Sequence, residues 1–169
     1  ASTHDEKFAY LVTLSDGMPR GVCLSKVDIA IAQDSTDTTS FYHHLLYKVD
    51  GTPGDNYVAD THFSEPLLYN NYIYVIVATE QGAPTDIENN EYSANPAHTD
   101  LFLVKRSLDS KEMIVKQLTK TDKIEEVNPK LVALGNELLL IYTEARFDKQ
   151  TSRYSFTDKY LLLDERGGR

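Results

Sequence analysis

Short apolar blocks, each bounded by turn residues, run the length of the chain and predict strands. The clearest is Tyr72-Ile73-Tyr74-Val75-Ile76-Val77-Ala78-Thr79-Glu80, preceded by Glu65-Pro66-Leu67-Leu68-Tyr69 and the turn Asn70-Asn71. A second segment has the same plan: Asn128-Pro129-Lys130-Leu131-Val132-Ala133, then Leu134-Gly135-Asn136, then Glu137 to Glu144. Pro66 matches Pro129 and Thr79-Glu80 matches Thr143-Glu144, with one residue of slack assigned to the turn. Each copy therefore reads as a short strand, a tight turn and a long apolar strand buried on both faces. A helix over Leu138–Tyr142 is disfavoured by Gly135-Asn136 just before it and by the β-branched residues of the sister copy.

A partial third copy lies upstream. Phe8 to Gly17 falls about 65 residues before Val77 to Gly82, close to the roughly 64-residue spacing of the other two. Two further strands are expected after each long one. They are Gly21–Ala32 and Phe41–Val49 in the first copy, and Asp100–Arg106 and Glu112–Leu118 in the second. In the third, Thr157–Leu163 echoes Thr99–Leu103. The expected fold class is all-β, with about three four-stranded antiparallel blades of a β-propeller in a single unit over 1–169. The repeats fall roughly at 8–50, 64–120 and 127–169. Stacking would bury the faces that one sheet cannot cover alone. A two-sheet β-sandwich with a duplicated hairpin is the alternative.

Fewer than three whole blades are visible, and propellers close with about four to eight. The expected partner is therefore further polypeptide that completes the propeller, from the same precursor in one version. The ending Arg166-Gly167-Gly168-Arg169 resembles a surface loop cut after a basic residue, which adds proteolytic processing and leans toward a secreted or vesicular home.

Composition narrows the function. Eleven Tyr, six Phe and no Trp suit pleated surfaces. A net charge of −9 repels a phosphate polyanion, so nucleic acid is not an expected partner. No apolar run reaches the length of a membrane span. The single cysteine, Cys23, excludes an intrachain disulfide and reads as a small core hydrophobe.

Candidate chemistry is sparse. The acidic loops, including Asp86, Glu88 and Glu91 within Gln81–His98, lack the spaced Asp-x-Asp-x-Asp-Gly pattern of a calcium loop. His43-His44 face opposite ways on a strand, so they cannot share a metal. No metal, cofactor or catalytic residue is assigned. The ligand-binding candidates are Asp60, His62 and Glu65, with the strand-end carboxylates Glu80 and Glu144 and the nearby Arg146. Paired carboxylates converging on a channel could cleave a glycosidic bond, but recurrence at equivalent positions favours carboxylates that cap a turn or pair with a neighbouring blade.

The phrases Ser64-Glu65-Pro66-Leu67-Leu68 and Asn128-Pro129-Lys130-Leu131, each followed by a turn and a long apolar strand, resemble blades of sugar-acting propellers. Both the six-bladed sialidases and the five-bladed glycosidases of arabinan-like or fructan substrates share the pattern. The sialidase resemblance implies a glycan ligand and would place Glu65 like the glutamate that assists a tyrosine nucleophile. The Ser-x-Asp-x-Gly-x-Thr-Trp box of those blades is absent from this chain. The reading that follows is a non-catalytic structural or protein-recognition module, with a glycan-binding or glycan-hydrolysing propeller as the alternative.

Overall fold

The computed structural model describes residues 2–15, 21–29, 41–48, 61–79, 84–86, 91–92 and 98–168. Asp60, Glu80 and the loops 33–40 and 50–56 lie outside them. The fold is all-β, in three antiparallel sheets that do not close on themselves.

The first sheet is a meander in the order β1 (Ser2–His4), β2 (Phe8–Ser15), β3 (Gly21–Asp28) and β4 (Phe41–Lys48). Its short inner strand β1 is one the sequence pattern did not reveal, because three residues are too few to show a period. Asp5 holds the β1–β2 turn: its carboxylate accepts the N–H groups of Lys7 at 2.8 Å and Phe8 at 2.7 Å.

The middle sheet has an inner strand in two pieces, β5 (Thr61–Phe63) and β6 (Leu67–Tyr69), both paired with β7 (Tyr72–Thr79). Ser64-Glu65-Pro66 interrupts it, as expected where proline offers no N–H to a ladder. Ser64 carries the ladder across the gap. Its N–H donates to the Ile76 carbonyl at 2.8 Å, and its hydroxyl accepts the Ile76 N–H at 2.9 Å. A small hairpin, β8 (Pro84–Asp86) with β9 (Glu91–Tyr92), precedes β10 (Asp100–Ser107) and β11 (Met113–Gln117). The sheet runs β11-β10-β7 and then the inner pieces.

The third sheet is β12 (Glu125–Leu134), β13 (Glu137–Asp148) and β14 (Arg153–Leu163). Its inner strand bulges between Val127 and Lys130, where Asn128 takes a φ of 54° beside Pro129. Both copies thus break the inner strand beside a proline.

The sheets stack with the middle one between the others. Tyr10, Val12, Val22 and Leu24 of the first sheet pack on Ile73, Val75, Val77, Phe102 and Val104. The opposite face of the middle sheet, with Tyr74, Ile76, Ala78, Leu101 and Leu103, packs on Leu138, Leu140, Tyr142 and Leu163 of the third. Residues 73 to 79 of β7 are all buried, so the expectation of a strand covered on both faces holds there. It fails for β13, where buried and more exposed residues alternate from Glu137 to Tyr142 because only one face of the third sheet is covered.

The slack between the copies does not lie in the turn. Tyr69 pairs with Tyr72 and Leu134 with Glu137, so both turns have the same length. Asn70 and Asn71 adopt φ of 47° and 64°, the left-handed pair of a tight hairpin, and Gly135 opens the other turn at 62°. Counted from these turns, Thr79 answers to Glu144 and not to Thr143. Tyr74 and Ile76 answer to Leu139 and Ile141. Tyr10 and Val12 hold the same third and fifth places in β2. The third and fifth residues of each long strand therefore point the same way along the stack, and the sheets follow one another head to tail.

Candidate functional site

The predicted residues fall in two places. His62 and Glu65, flanking Phe63 and the Pro66 break, line a cleft of about 620 Å³ with Asn128, Pro129, Lys130, Leu131 and Val132. It lies where the inner strands of the middle and third sheets meet, and it exists because both strands are interrupted there. His62 and Glu65 are both exposed on it. The cleft mixes an imidazole, a carboxylate, a carboxamide and an ammonium with an aromatic ring and three aliphatic side chains. That inventory suits a small polar ligand with one apolar face.

Glu144 and Arg146 stand on β13, two residues apart and on the same face, and they pair with each other. Arg146 Nη2 donates to Glu144 Oε2 at 3.2 Å, and Lys159 Nζ approaches the same oxygen at 4.0 Å. Glu144 is buried and Arg146 exposed, so the arginine covers a carboxylate whose other surroundings are protein. The bond occupies the carboxylate with an ion pair, as structural strand ends often do. Among the described residues no group of three His, Cys, Asp or Glu is placed to hold a metal ion.

Sequence reasoning missed Glu126, the most perturbed carboxyl among the described residues. It sits directly opposite Glu144 in the β12–β13 ladder and is fully buried. Its backbone N–H donates to the Thr99 hydroxyl at 2.7 Å, and that hydroxyl lies 3.0 Å from the Glu126 carbonyl. The Thr119 hydroxyl donates to Glu126 Oε2 and accepts the Leu101 N–H at 2.8 Å. Glu126 Oε1 has no hydrogen-bond partner among the described residues. Burial pushes the carboxyl up to about 7, and the neighbouring charges of Asp100 and Glu144 push in the same direction, against the Thr119 bond.

Asp100, itself raised by burial, accepts the Thr121 N–H at 3.0 Å and the Gln117 amide at 3.1 Å. Beside it, Thr99 N–H donates to Glu125 at 3.3 Å and His98 Nδ1 lies 3.5 Å from the same carboxylate. These side chains stitch the start of β10 to the start of β12. With no exposed surface, Glu126 cannot reach a ligand, and its chemistry is that of a latch between two sheets. Its sequence signal is faint: a charged residue at a strand start gives no hint that threonines elsewhere will enclose it.

No family model matches the chain, and no curated protein or solved structure matches it. Among the described residues no helix is long and apolar enough to cross a membrane.

Proposed function

We propose that this chain is a non-catalytic segment of a β-propeller, a structural or recognition module that assembles with further polypeptide. One observation carries the reading. The face with which the middle sheet holds its successor recurs on the third sheet as Leu139, Ile141, Tyr160 and Leu162, and there Ile141, Tyr160 and Leu162 are exposed and Leu139 is half-buried. The head-to-tail order supports a propeller over a sandwich, because a two-sheet sandwich packs its layers as one opposed pair, whereas blades succeed each other with like faces pointing one way. The pairing of Glu144 with Arg146 supports a structural role for the strand-end charges. Intact and native mass measurement on material from the natural source tests it. The expected result is a particle heavier than the 19.1 kDa chain, and a lone monomer overturns the reading.

The cleft favours a second reading, a glycan site on the same scaffold. His62, Glu65, Asn128 and Lys130 would bind hydroxyl groups, with Phe63 as an apolar platform. Titration calorimetry with a panel of oligosaccharides checks this. Binding that disappears in Glu65→Ala supports it, and no heat with any member of the panel counts against it.

A further inference from the structure

The seam between the first and middle sheets opens, at the end where β10 turns into β11, on a cavity of about 410 Å³. Phe8, Tyr10, Leu24 and Leu108 supply its apolar surface. Lys26, Arg106 and Lys111 line it together with one carboxylate, Asp109. Three cations gathered on one cavity run against the net charge of −9 on the chain. The carboxylates at hand are engaged. Asp109 accepts the Asn71 amide, and Asp5, whose charge reaches Lys26, accepts the Lys7 and Phe8 N–H groups and the Tyr10 hydroxyl. Among the described residues none of the three cations is in an ion pair with a carboxylate.

The same place in the next seam is sealed. Lys26 pairs with Tyr10 and lies over the rings of Phe8 at 3.9 Å and Tyr10 at 5.9 Å. Lys105 pairs with Tyr74 and lies over Tyr72 at 4.0 Å and Tyr74 at 5.5 Å. These rings are the first and third residues of β2 and of β7, so the lysine and its aromatic pair are repeated. In the second seam the turn after β14 caps the lysine: the Glu165 carbonyl accepts Lys105 Nζ at 3.1 Å and the Tyr74 hydroxyl at 3.4 Å. Lys105 is buried there. Lys26 is half-buried and, among the described residues, donates to no carbonyl. Arg106 and Leu163 pair with Ile73 and Leu138, the second residues of β7 and β13, so Arg106 stands where the third sheet has a buried leucine. Five residues on, Lys111 answers to Gly168. The first seam thus adds two cations and leaves its lysine uncapped.

We infer that this cavity is a binding site for a small phosphomonoester with an apolar body. Among the described residues the Arg106 guanidinium reaches only the Lys111 carbonyl, at 3.5 Å, so its other N–H groups can hold an oxyanion bidentately. Contact with the Phe8 ring positions the Lys26 ammonium and leaves its N–H groups able to donate. Three cations against one carboxylate leave two positive charges. A phosphate monoester carries about −1.5 to −2 at neutral pH and offers three acceptor oxygens, which matches them. Phe8, Leu24 and Leu108 receive the body, and the volume suits a small ligand. The site lies on the other seam from the cleft of His62 and Glu65 and depends on neither the propeller nor the glycan reading.

Titration calorimetry of the folded chain with phenyl phosphate tests this. Binding is expected, and it should weaken about tenfold or more in Arg106→Leu, which installs the residue of the second seam. If that variant loses its circular dichroism spectrum, Lys111→Gly at an exposed position reads the same site, with a loss of about threefold or more. Inorganic phosphate should bind more weakly than phenyl phosphate, and benzyl alcohol should not bind. No heat with phenyl phosphate overturns the inference. So does an affinity unchanged in folded Arg106→Leu or in Lys111→Gly, which would place the anion elsewhere. Benzoate binding as tightly would replace the phosphomonoester by a carboxylate, and inorganic phosphate binding as tightly would remove the apolar body; either result overturns the ligand class.

Discussion

The strands β7 and β13 follow turns of equal length, carry similar apolar residues and occupy the same second place in their sheets, yet their surroundings differ. In β7 the odd and even positions each meet another sheet, and residues 73 to 79 are all buried. In β13 the even positions Leu138, Leu140 and Tyr142 are buried, while Ile141 on the other side is 37% exposed. The difference lies in neighbours and not in side chains. Burial on both faces is a property of the stack, and a strand at its end keeps the composition without the coverage.

The largest expected effect tests that contrast within one strand. Leu140→Ala removes a fully buried side chain between two sheets and should cost about 2–5 kcal/mol. Ile141→Ala, one residue on, should cost under about 1 kcal/mol in the isolated chain. Chemical denaturation of the two variants measures the gap. If the gap closes when the chain is studied in its assembly, the outer face is covered there. If Ile141→Ala is as costly as Leu140→Ala in a confirmed monomer, the face is not free and the contrast fails.

A smaller effect concerns the seam between the middle and third sheets. Glu126, with a carboxyl near 7 against about 4.5 in an unfolded chain, binds its proton more tightly when folded. Its stabilising contribution is therefore complete below about pH 4.5 and is lost as the pH rises through about 7. Glu126→Gln, which stays neutral and can still accept from Thr119, should flatten the pH profile across that window. At pH 8 it should stabilise the fold by about 3 kcal/mol. Melting curves from pH 4 to 8 decide it, and a variant whose profile parallels the parent would show that Glu126 does not titrate there.

The smallest effect compares the two matching turns. Asn71 holds a left-handed φ of 64° and its amide donates to the exposed Asp109 carboxylate, so Asn71→Gly frees the backbone but gives up that bond and should change stability by no more than about 1 kcal/mol. Asn71→Val should cost about 1 kcal/mol or more, because a β-branched residue resists that conformation. Equal melting temperatures for the two variants would mean that the turn does not constrain the hairpin. Gly135→Val at the third sheet's turn should behave like Asn71→Val, although no atom crowds its added side chain, since the strain comes from φ alone.

The amino-acid sequence by itself determined the local elements. Asn70-Asn71 and Gly135-Asn136 announced both turns, the alternation and runs of apolar residues announced the strands, and Pro66 and Pro129 each marked a break in an inner strand. These features are legible because turn geometry and strand period depend on a few neighbouring residues. The candidate site was legible in part. His62 and Glu65 do share a cleft, since a break in one strand concentrates their side chains, whereas Glu144 and Arg146 satisfy one another on β13.

Only the tertiary structure decided the register between copies and the fate of each face. Matching Thr79-Glu80 to Thr143-Glu144 is the better alignment of letters, but it is off by one against the paired turns, and one residue is enough to exchange the two faces of a strand. The same limit hid Glu126. Its proton affinity comes from Thr99, Thr119, Asp100 and Glu144, which lie on other strands, and burial is a sum over the whole stack that no local pattern records.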